Sequence, residues 1–302
     1  MNFIQANTNG DLHDATRPSL SPLNRGFLYG DAVYEVWRSY HRSLFAWQEH
    51  WDRLAASASA LGLELKWSDA EILEQVKKTV SAFTAQTGHD GDVYVRLQVY
   101  RGEGAIGLDT QLAETPGFII LVQPVPALST AAWDHGLSLG VSRKFKRNPV
   151  DALNPAWKTG NYLNNLMCLR EAKAGGADDA VILNHAGEVT EASTSNIGFI
   201  RDGCFITPPL DVGILAGITR KIIIDSVASS VGLAVEERRL TIEDLKSMNE
   251  CMLTSSTKDV QPVGRIDDFP FEVGEGTVSR RLKLAFADYV RNYTSAHSEL
   301  KV

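Results

Sequence analysis

A two-domain chain of mixed α and β structure is what the sequence predicts. Its 302 residues suffice for two separate cores. Segments of helical and of strand periodicity follow one another without the regular βαβ rhythm of a Rossmann or barrel fold. Pro124 and Pro126 interrupt the pattern before it restarts at AWDHGLSL. These features place a small N-terminal α/β domain at 1–125, an interdomain loop at 126–136 and a large C-terminal domain at 137–302.

In chain order, FIQA (3–6) and DLHDA (11–15) flank Asn9-Gly10, a dipeptide that predicts a hairpin or loop. Residues 49–61 set Trp51, Leu54, Ala55, Ala58 and Leu61 at helical spacing and close on Gly62. Ser68-Asp69-Ala70-Glu71 is a capping box; it opens a helix with Ile72, Val76, Val80 and Phe83 on one face, ended before Gly88. DVYVRLQVYRG (92–102) alternates like a strand, and the continuous apolar run GFIILVQPV (117–125) predicts a strand buried on both sides. Past the boundary, a strand around 140–142 and a polar loop lead to a helix from about 160 to 174. DAVILN and GEVTEA form two strands around Asn184-His185-Ala186-Gly187, and Asp202-Gly203 turns a second pair. A helix over 219–232, the strand LAVEERRL, a short helix from Thr241, a strand in ECMLTSST and an amphipathic helix over 277–293 complete the chain.

Hydrophobic residues make up 44% of the chain and charged residues 22%, the balance of an ordinary globular protein. A net charge of −7 argues against nucleic acid or an anionic membrane as the main partner, and the basic pairs Arg143-Lys144 and Lys146-Arg147 read as a solvated rim. No apolar stretch reaches the roughly 20 residues of a membrane span, and MNFIQANTNGDLHD lacks the layout of a signal peptide. Cys168, Cys204 and Cys251 are scattered, which fits thiols in a reducing cytoplasm and offers no zinc site.

Lys158, in the run KTGNYLNN (158–165), follows Ala156-Trp157 at the mouth of a helix, where a side chain can enter a cleft. Desolvation drives an ammonium toward the nucleophilic amine that attacks carbonyls; the plain alternative is a solvated lysine. In GEVTEA the strand period sets Glu191 on the face of Val189, so a carboxylate there needs a cationic partner, or else the strand is a solvent edge. Gly217-Ile218-Thr219-Arg220 opens a helix whose Ile218 and Thr219 amides and Thr219 hydroxyl suit an anion, or simply a threonine cap. Thr254-Ser255-Ser256-Thr257 offers more hydroxyls and amides after a strand, or is a polar turn. Arg53, between Trp51 and Leu54, lies beside the apolar stripe of its helix, where a snorkelling surface arginine is the bland alternative.

Together these motifs are recognisable. RGFLYGDAVYE (25–35), HWDRL, KTGNYL, GEVTEASTSN (187–196), GITR and TSSTKDVQPV (254–263) occur in order and nearly end to end. The chain resembles the class IV, fold-type IV pyridoxal phosphate enzymes: branched-chain aminotransferases, D-amino acid aminotransferases and aminodeoxychorismate lyases. The resemblance implies a two-domain, D-amino acid aminotransferase-like fold and the cofactor pyridoxal 5'-phosphate. It casts Lys158 as the Schiff-base lysine and acid/base, Glu191 as the partner of the pyridine nitrogen and Tyr162 as a hydrogen-bond partner of the ring phenolate. Arg53, Ile218, Thr219 and Ser256 fall to the phosphate, and Asn196 to support of the cofactor strand.

Tyr162, Tyr94 and Arg96 resemble the branched-chain group, in which the second tyrosine meets the substrate α-carboxylate and the arginine the side-chain carboxylate of glutamate. Tyr29 and Arg38 fit the same substrate wall, Ser256 and Thr257 complete it, and Gly107-Leu108 resembles a loop lent to a neighbouring subunit. YEVWR (34–38) stands where FEGIR is usual, so Tyr34-Glu35-Val36 looks like D-amino acid enzymes and Val36 narrows the pocket. TSST likewise replaces the usual Ser-Gly-Thr. The expectation is a transaminase moving an amino group from an apolar, branched-chain amino acid to a keto acid such as 2-oxoglutarate, in a homodimer with interface active sites. The alternatives are a D-amino acid or (R)-amine transaminase, or aminodeoxychorismate lyase.

Overall fold

The structure, a computed structural model, describes residues 3–113, 115–126 and 130–302. The chain forms two compact units: Met1–Pro126 with Trp157–Asn161 and Arg291–Val302, and Ala127–Ala156 with Tyr162–Val290.

The first unit opens on the hairpin β1 (Gln5–Thr8) and β2 (Asp11–Asp14), turned by Asn9 and Gly10 at φ 53° and 98°. After α1 (Arg25–Tyr29) come β3 (Ala32–Tyr40), β4 (Ser43–Leu44), α2 (Trp47–Ala60), α3 (Asp69–Thr87), β5 (Val93–Tyr100) and β6 (Gly117–Pro124). The sheet runs β2-β1-β6-β5-β3-β4. The capping box at the start of α3 is formed, with the Ser68 and Glu71 side chains each bonding the other's backbone amide. Strand parity sends Val33, Trp37, Val95, Leu97, Val99, Ile120 and Val122 against Leu54, Ile72, Val76, Val80 and Phe83 of the helices. By the same parity Glu35 enters this core face, while Tyr34, Val36, Arg38, Tyr94 and Arg96 line the other; Val36 pairs with Arg96 and Arg38 with Tyr94. β6 is fully buried on one face only, because Ile119, Leu121 and Gln123 stand half-buried on the second; the continuous apolar run overstated its enclosure.

Segment 157–161, which the sequence reading assigns to the large C-terminal domain, packs with the first unit. Thr159 bridges Val33, the Tyr34 amide donates to the Lys158 carbonyl at 3.0 Å, and the Gly160 amide donates to Ala32 at 3.0 Å. The strap thus runs as a short extra strand along the start of β3. Helix α5 (Leu163–Ala174) begins after it rather than at 160, since those residues are already committed to strand pairing.

The second unit holds α4 (Thr130–Asp134), β7 (Leu137–Val141), α5, β8 (Asp179–Leu183), β9 (Val189–Ala192), β10 (Asn196–Arg201) and β11 (Cys204–Thr207). Next come α6 (Ile218–Ile222), a π-helical turn (Ile223–Val227), α7 (Ala228–Ser230), β12 (Ala234–Glu237), β13 (Glu250–Ser255), β14 (Asp259–Ile266), β15 (Phe269–Pro270) and α8 (Val278–Ala296). The sheet order is β12-β11-β10-β13-β14-β7-β8-β9, with β15 on β14. Of the expected interdomain loop at 126–136, residues 127–129 lie outside the described residues, and 130–134 are helical. The core between sheet and loops is built from Leu139, Val181, Val189, Ile197, Phe199, Leu253 and Val263.

Candidate active site

In the first unit the site grows from β3, α2 and the 157–161 strap. The Lys158 amide donates to Ser57 Oγ at 3.1 Å, and Ser57 Oγ donates to the Arg53 carbonyl at 2.9 Å, so the lysine is tied to the helix that carries Arg53. Lys158 Nζ lies 4.5 Å from the centre of the Tyr34 ring, and the Arg96 guanidinium lies 3.8 Å from the same ring. Lys158 is half-buried rather than enclosed. Arg38 stacks on Tyr40 at 4.4 Å. The polar face of the sheet therefore carries two guanidiniums and the lysine, a setting for anionic substrates.

Beneath that face lies a buried charge cluster. Arg53 forks onto Glu35, with Nε 2.6 Å from Oε1 and Nη2 2.8 Å from Oε2. His50 Nδ1 lies 2.7 Å from Glu35 Oε2 and carries the proton of that bond, because a carboxylate only accepts. Burial pushes the Glu35 carboxyl up, but the charges and hydrogen bonds of Arg53 and His50 overrule it and hold the group well below the usual carboxylate range. Burial lowers His50; Glu35 opposes this, and the charges of Arg53 and Lys158 add to it.

In the second unit Glu191 is buried on β9 and surrounded by donors. Arg147 Nη2 donates to its Oε1 at 2.6 Å. Asn196 Nδ2 donates to its Oε2 at 2.9 Å and to the Leu215 carbonyl at 2.9 Å, and the Leu215 amide donates to Oε2 at 3.2 Å. Two residues on, Gly217 starts α6 with no side-chain cap. A Cβ at Gly217 would fall 1.8 Å from Asn196 Oδ1, so only glycine lets the helix start sit against the asparagine. Ile218 and Thr219 are buried there. Ser256 and Thr257 lie half-buried between β13 and β14, on a turn held by Lys258, whose Nζ reaches Asp179 Oδ2 at 3.2 Å and Ser195 Oγ at 3.1 Å. Tyr162, half-buried, stands at the N-terminus of α5.

Tyr29 ends α1 and accepts a hydrogen bond from the Gly107 amide at 3.1 Å. Leu108 projects into solvent beyond it. One sequence expectation is overturned: Arg147 is no solvated rim residue but a buried partner of Glu191, because the carboxylate's burial demands a cation and loop 142–147 delivers one. Tyr34, Glu35, His50, Ser57 and Asn165 were not singled out as side chains of the site. The spacing of His50 and Arg53, one turn apart on α2, was the one local signal available.

The residues fit pyridoxal phosphate: an amine on a fixed strap, a buried carboxylate for a protonated ring nitrogen, and an uncapped helix start for a phosphate. The profile of the family described as amino-transferase class IV matches residues 32–266. A putative branched-chain-amino-acid aminotransferase of Methanocaldococcus jannaschii is 34% identical over 283 residues, covering 93% of this chain and 94% of the relative. A D-alanine aminotransferase of Staphylococcus aureus is 30% identical over 296 residues, covering 95% and 98%. The crystal structure of the branched-chain aminotransferase of the archaeon Thermoproteus uzoniensis with norvaline superimposes with a TM-score of 0.87 at 27% identity, covering 99% of this chain and 98% of the other. With its family profile spanning most of the sequence, this chain belongs to the class IV aminotransferases.

Proposed function

We propose that this enzyme uses pyridoxal 5'-phosphate to move an amino group from an apolar, branched-chain L-amino acid to a 2-keto acid such as 2-oxoglutarate. The observation that carries the reading is the cluster in which Asn196 ties the Glu191 carboxylate to the loop leading into the bare start of α6. A molecule with a basic ring nitrogen and a phosphate calls for those two groups close together. Pyridoxal phosphate, when bound, supplies an aldehyde for amine attachment and a ring that withdraws electrons.

Lys158 Nζ is the amine that attaches the cofactor and the base that takes the α-proton of the amino donor. Glu191 holds a proton at the ring nitrogen, and Tyr162 bonds the ring phenolate. Ile218, Thr219 and Ser256 bind the phosphate together with Arg53, which Glu35 holds in place through Nε and Nη2. Tyr94 and Arg96 receive substrate carboxylates, Arg38 and Tyr29 line the same wall, and Val36, Leu108, Ser256 and Thr257 bound the side-chain pocket.

A specific observation keeps a second reading: Tyr34-Glu35-Val36 is the D-amino acid pattern, and Val36 stands opposite Arg96 where a smaller residue would leave room. The half-reactions separate the two. Yellow holoenzyme mixed with single amino donors should lose its visible band with L-leucine and L-glutamate and keep it with D-alanine and an (R)-amine. Bleaching by D-alanine alone would replace the branched-chain reading. Pyruvate released from aminodeoxychorismate without any keto acid present would make the protein a lyase.

We further infer a homodimer in a cytoplasmic setting. The buried Arg25 donates to the carbonyls of Gly107 at 2.8 Å, Leu108 at 3.2 Å and Asp109 at 3.3 Å, fixing that loop beside α1. Phe27, Ile106 and Leu108 nevertheless stand 74%, 75% and 81% exposed. A rigid loop presenting large apolar side chains to water is the mark of a surface covered by another chain, here a second copy. Sedimentation equilibrium should read twice the chain mass, and Leu108→Asp should shift it toward the monomer. A wild-type monomer at micromolar concentration would refute the dimer.

A further inference from the structure

Glu191 is not left alone with the cofactor it is proposed to serve. Arg147 is itself buried, and its three nitrogens are each directed: Nη2 to Glu191 Oε1 at 2.6 Å, Nη1 to Asn165 Oδ1 at 2.9 Å, and Nε to the Gly213 carbonyl at 3.4 Å. Asn165 is in turn fixed by its Nδ2 bond to the Ser193 carbonyl at 2.7 Å. Residue 193 follows the Glu191 strand directly, so the guanidinium is clamped between the start of α5 and the end of β9. A guanidinium cannot give up its proton, so it acts on its partner as a fixed charge.

The consequence concerns where a shared proton rests. A carboxylate facing a pyridine nitrogen shares one proton with it, and the proton sits on whichever atom is better stabilised in that state. A fixed cation bonded to one oxygen of the carboxylate favours the ionised carboxylate, and so the protonated nitrogen. Asn196 and the Leu215 amide, donating to Oε2, act in the same direction with neutral dipoles.

We propose that Arg147 is a positioning residue that keeps the proton of this pair on the cofactor ring nitrogen and off Glu191. The inference rests on the assignment of Glu191 to that nitrogen. It predicts that charge at position 147 matters more than the shape of the guanidinium: Arg147→Lys keeps the cation and loses the contacts to three separate partners, Arg147→Gln keeps a donor and loses the cation. Asn165→Asp keeps an acceptor for the Arg147 Nη1, gives up the Nδ2 bond to the Ser193 carbonyl, and gives the arginine a second carboxylate to neutralise.

The test is the nitrogen chemical shift of the ring in enzyme loaded with pyridoxal phosphate labelled with ¹⁵N at that atom, near neutral pH. Wild type and Arg147→Lys should both show the protonated ring. Arg147→Gln should move the signal toward the unprotonated pyridine value, and Asn165→Asp should move it the same way by less. A wild-type shift in Arg147→Gln would overturn the proposal. Should Arg147→Gln fail to fold, an unmoved signal in Asn165→Asp would overturn it equally. An unprotonated ring in the wild-type enzyme, or no binding of labelled cofactor, would instead refute the assignment of Glu191.

Discussion

Replacing Lys158 by alanine is expected to lower transaminase turnover by at least about 10²- to 10⁴-fold, the range lost when a positioned acid/base is removed; loss of the covalent amine adds to it. The structure makes this a clean deletion. Three bonds that place the residue use its backbone or that of its neighbours and not Nζ: Lys158 N to Ser57 Oγ, Tyr34 N to Lys158 O, and Gly160 N to Ala32 O. Alanine preserves all three, so the fold of the first unit should survive and the loss should belong to Nζ. Added methylamine should restore part of the rate, because a small amine can do the proton transfer from solution. Steady-state rates with and without methylamine decide it, and a variant with wild-type turnover would remove Lys158 from the chemistry.

Replacing Glu35 by alanine is expected to cost about 3–5 kcal/mol of folding stability, the range for breaking a buried charge pair from one side. Glu35 is fully buried, and its loss strands the Arg53 guanidinium and the His50 ring under β3. Against a total of about 5–15 kcal/mol for a typical domain, this is a large fraction. Exchanging both charged partners, Glu35→Leu with Arg53→Leu, should cost less than Glu35→Ala alone, since no uncompensated charge remains. Urea denaturation measures both; an unfolding free energy for Glu35→Ala within about 0.5 kcal/mol of wild type would show the cluster to be inert.

The same cluster gives stability a pH dependence of known sign. Folding depresses the Glu35 carboxyl, so its contribution is complete above the unfolded value near 4.3 and is lost as pH falls below it. His50 is also depressed, by burial first, so the unfolded chain takes up that proton sooner and stability declines as pH falls below about 6.5. Both groups act in one direction: acid destabilises. His50→Gln should flatten the decline between about pH 7 and 5 while leaving the steeper loss below about 4.

What could be read from the sequence follows a physical division. The capping box at Ser68, the hairpin turns at Asn9-Gly10 and Asp202-Gly203, and α2 with its glycine stop are local features, written in neighbouring residues, and the structure has them. Parity along β9 left Glu191 either on a buried face or at a solvent edge, and the strand is buried on both faces. β3 was missed because YEVWRSY buries a glutamate in the core face, which breaks the apolar alternation that marks a strand. Arg147 was misread for a related reason. A basic pair in a polar loop looks solvated, and only the meeting of that loop with β9 turns it into a buried ion pair. Strap 157–161 leaves its sequence neighbours for β3 through backbone bonds, which leave no side-chain signature.

The central claim is that Lys158 is the covalent attachment point of pyridoxal phosphate. Borohydride reduction of the yellow holoenzyme, followed by peptide mass mapping, tests it directly. The account predicts one phosphopyridoxyl group per chain, on the peptide containing Lys158 and at that residue. The label on any other lysine, or an unlabelled Lys158 in enzyme that had been fully loaded, would contradict it.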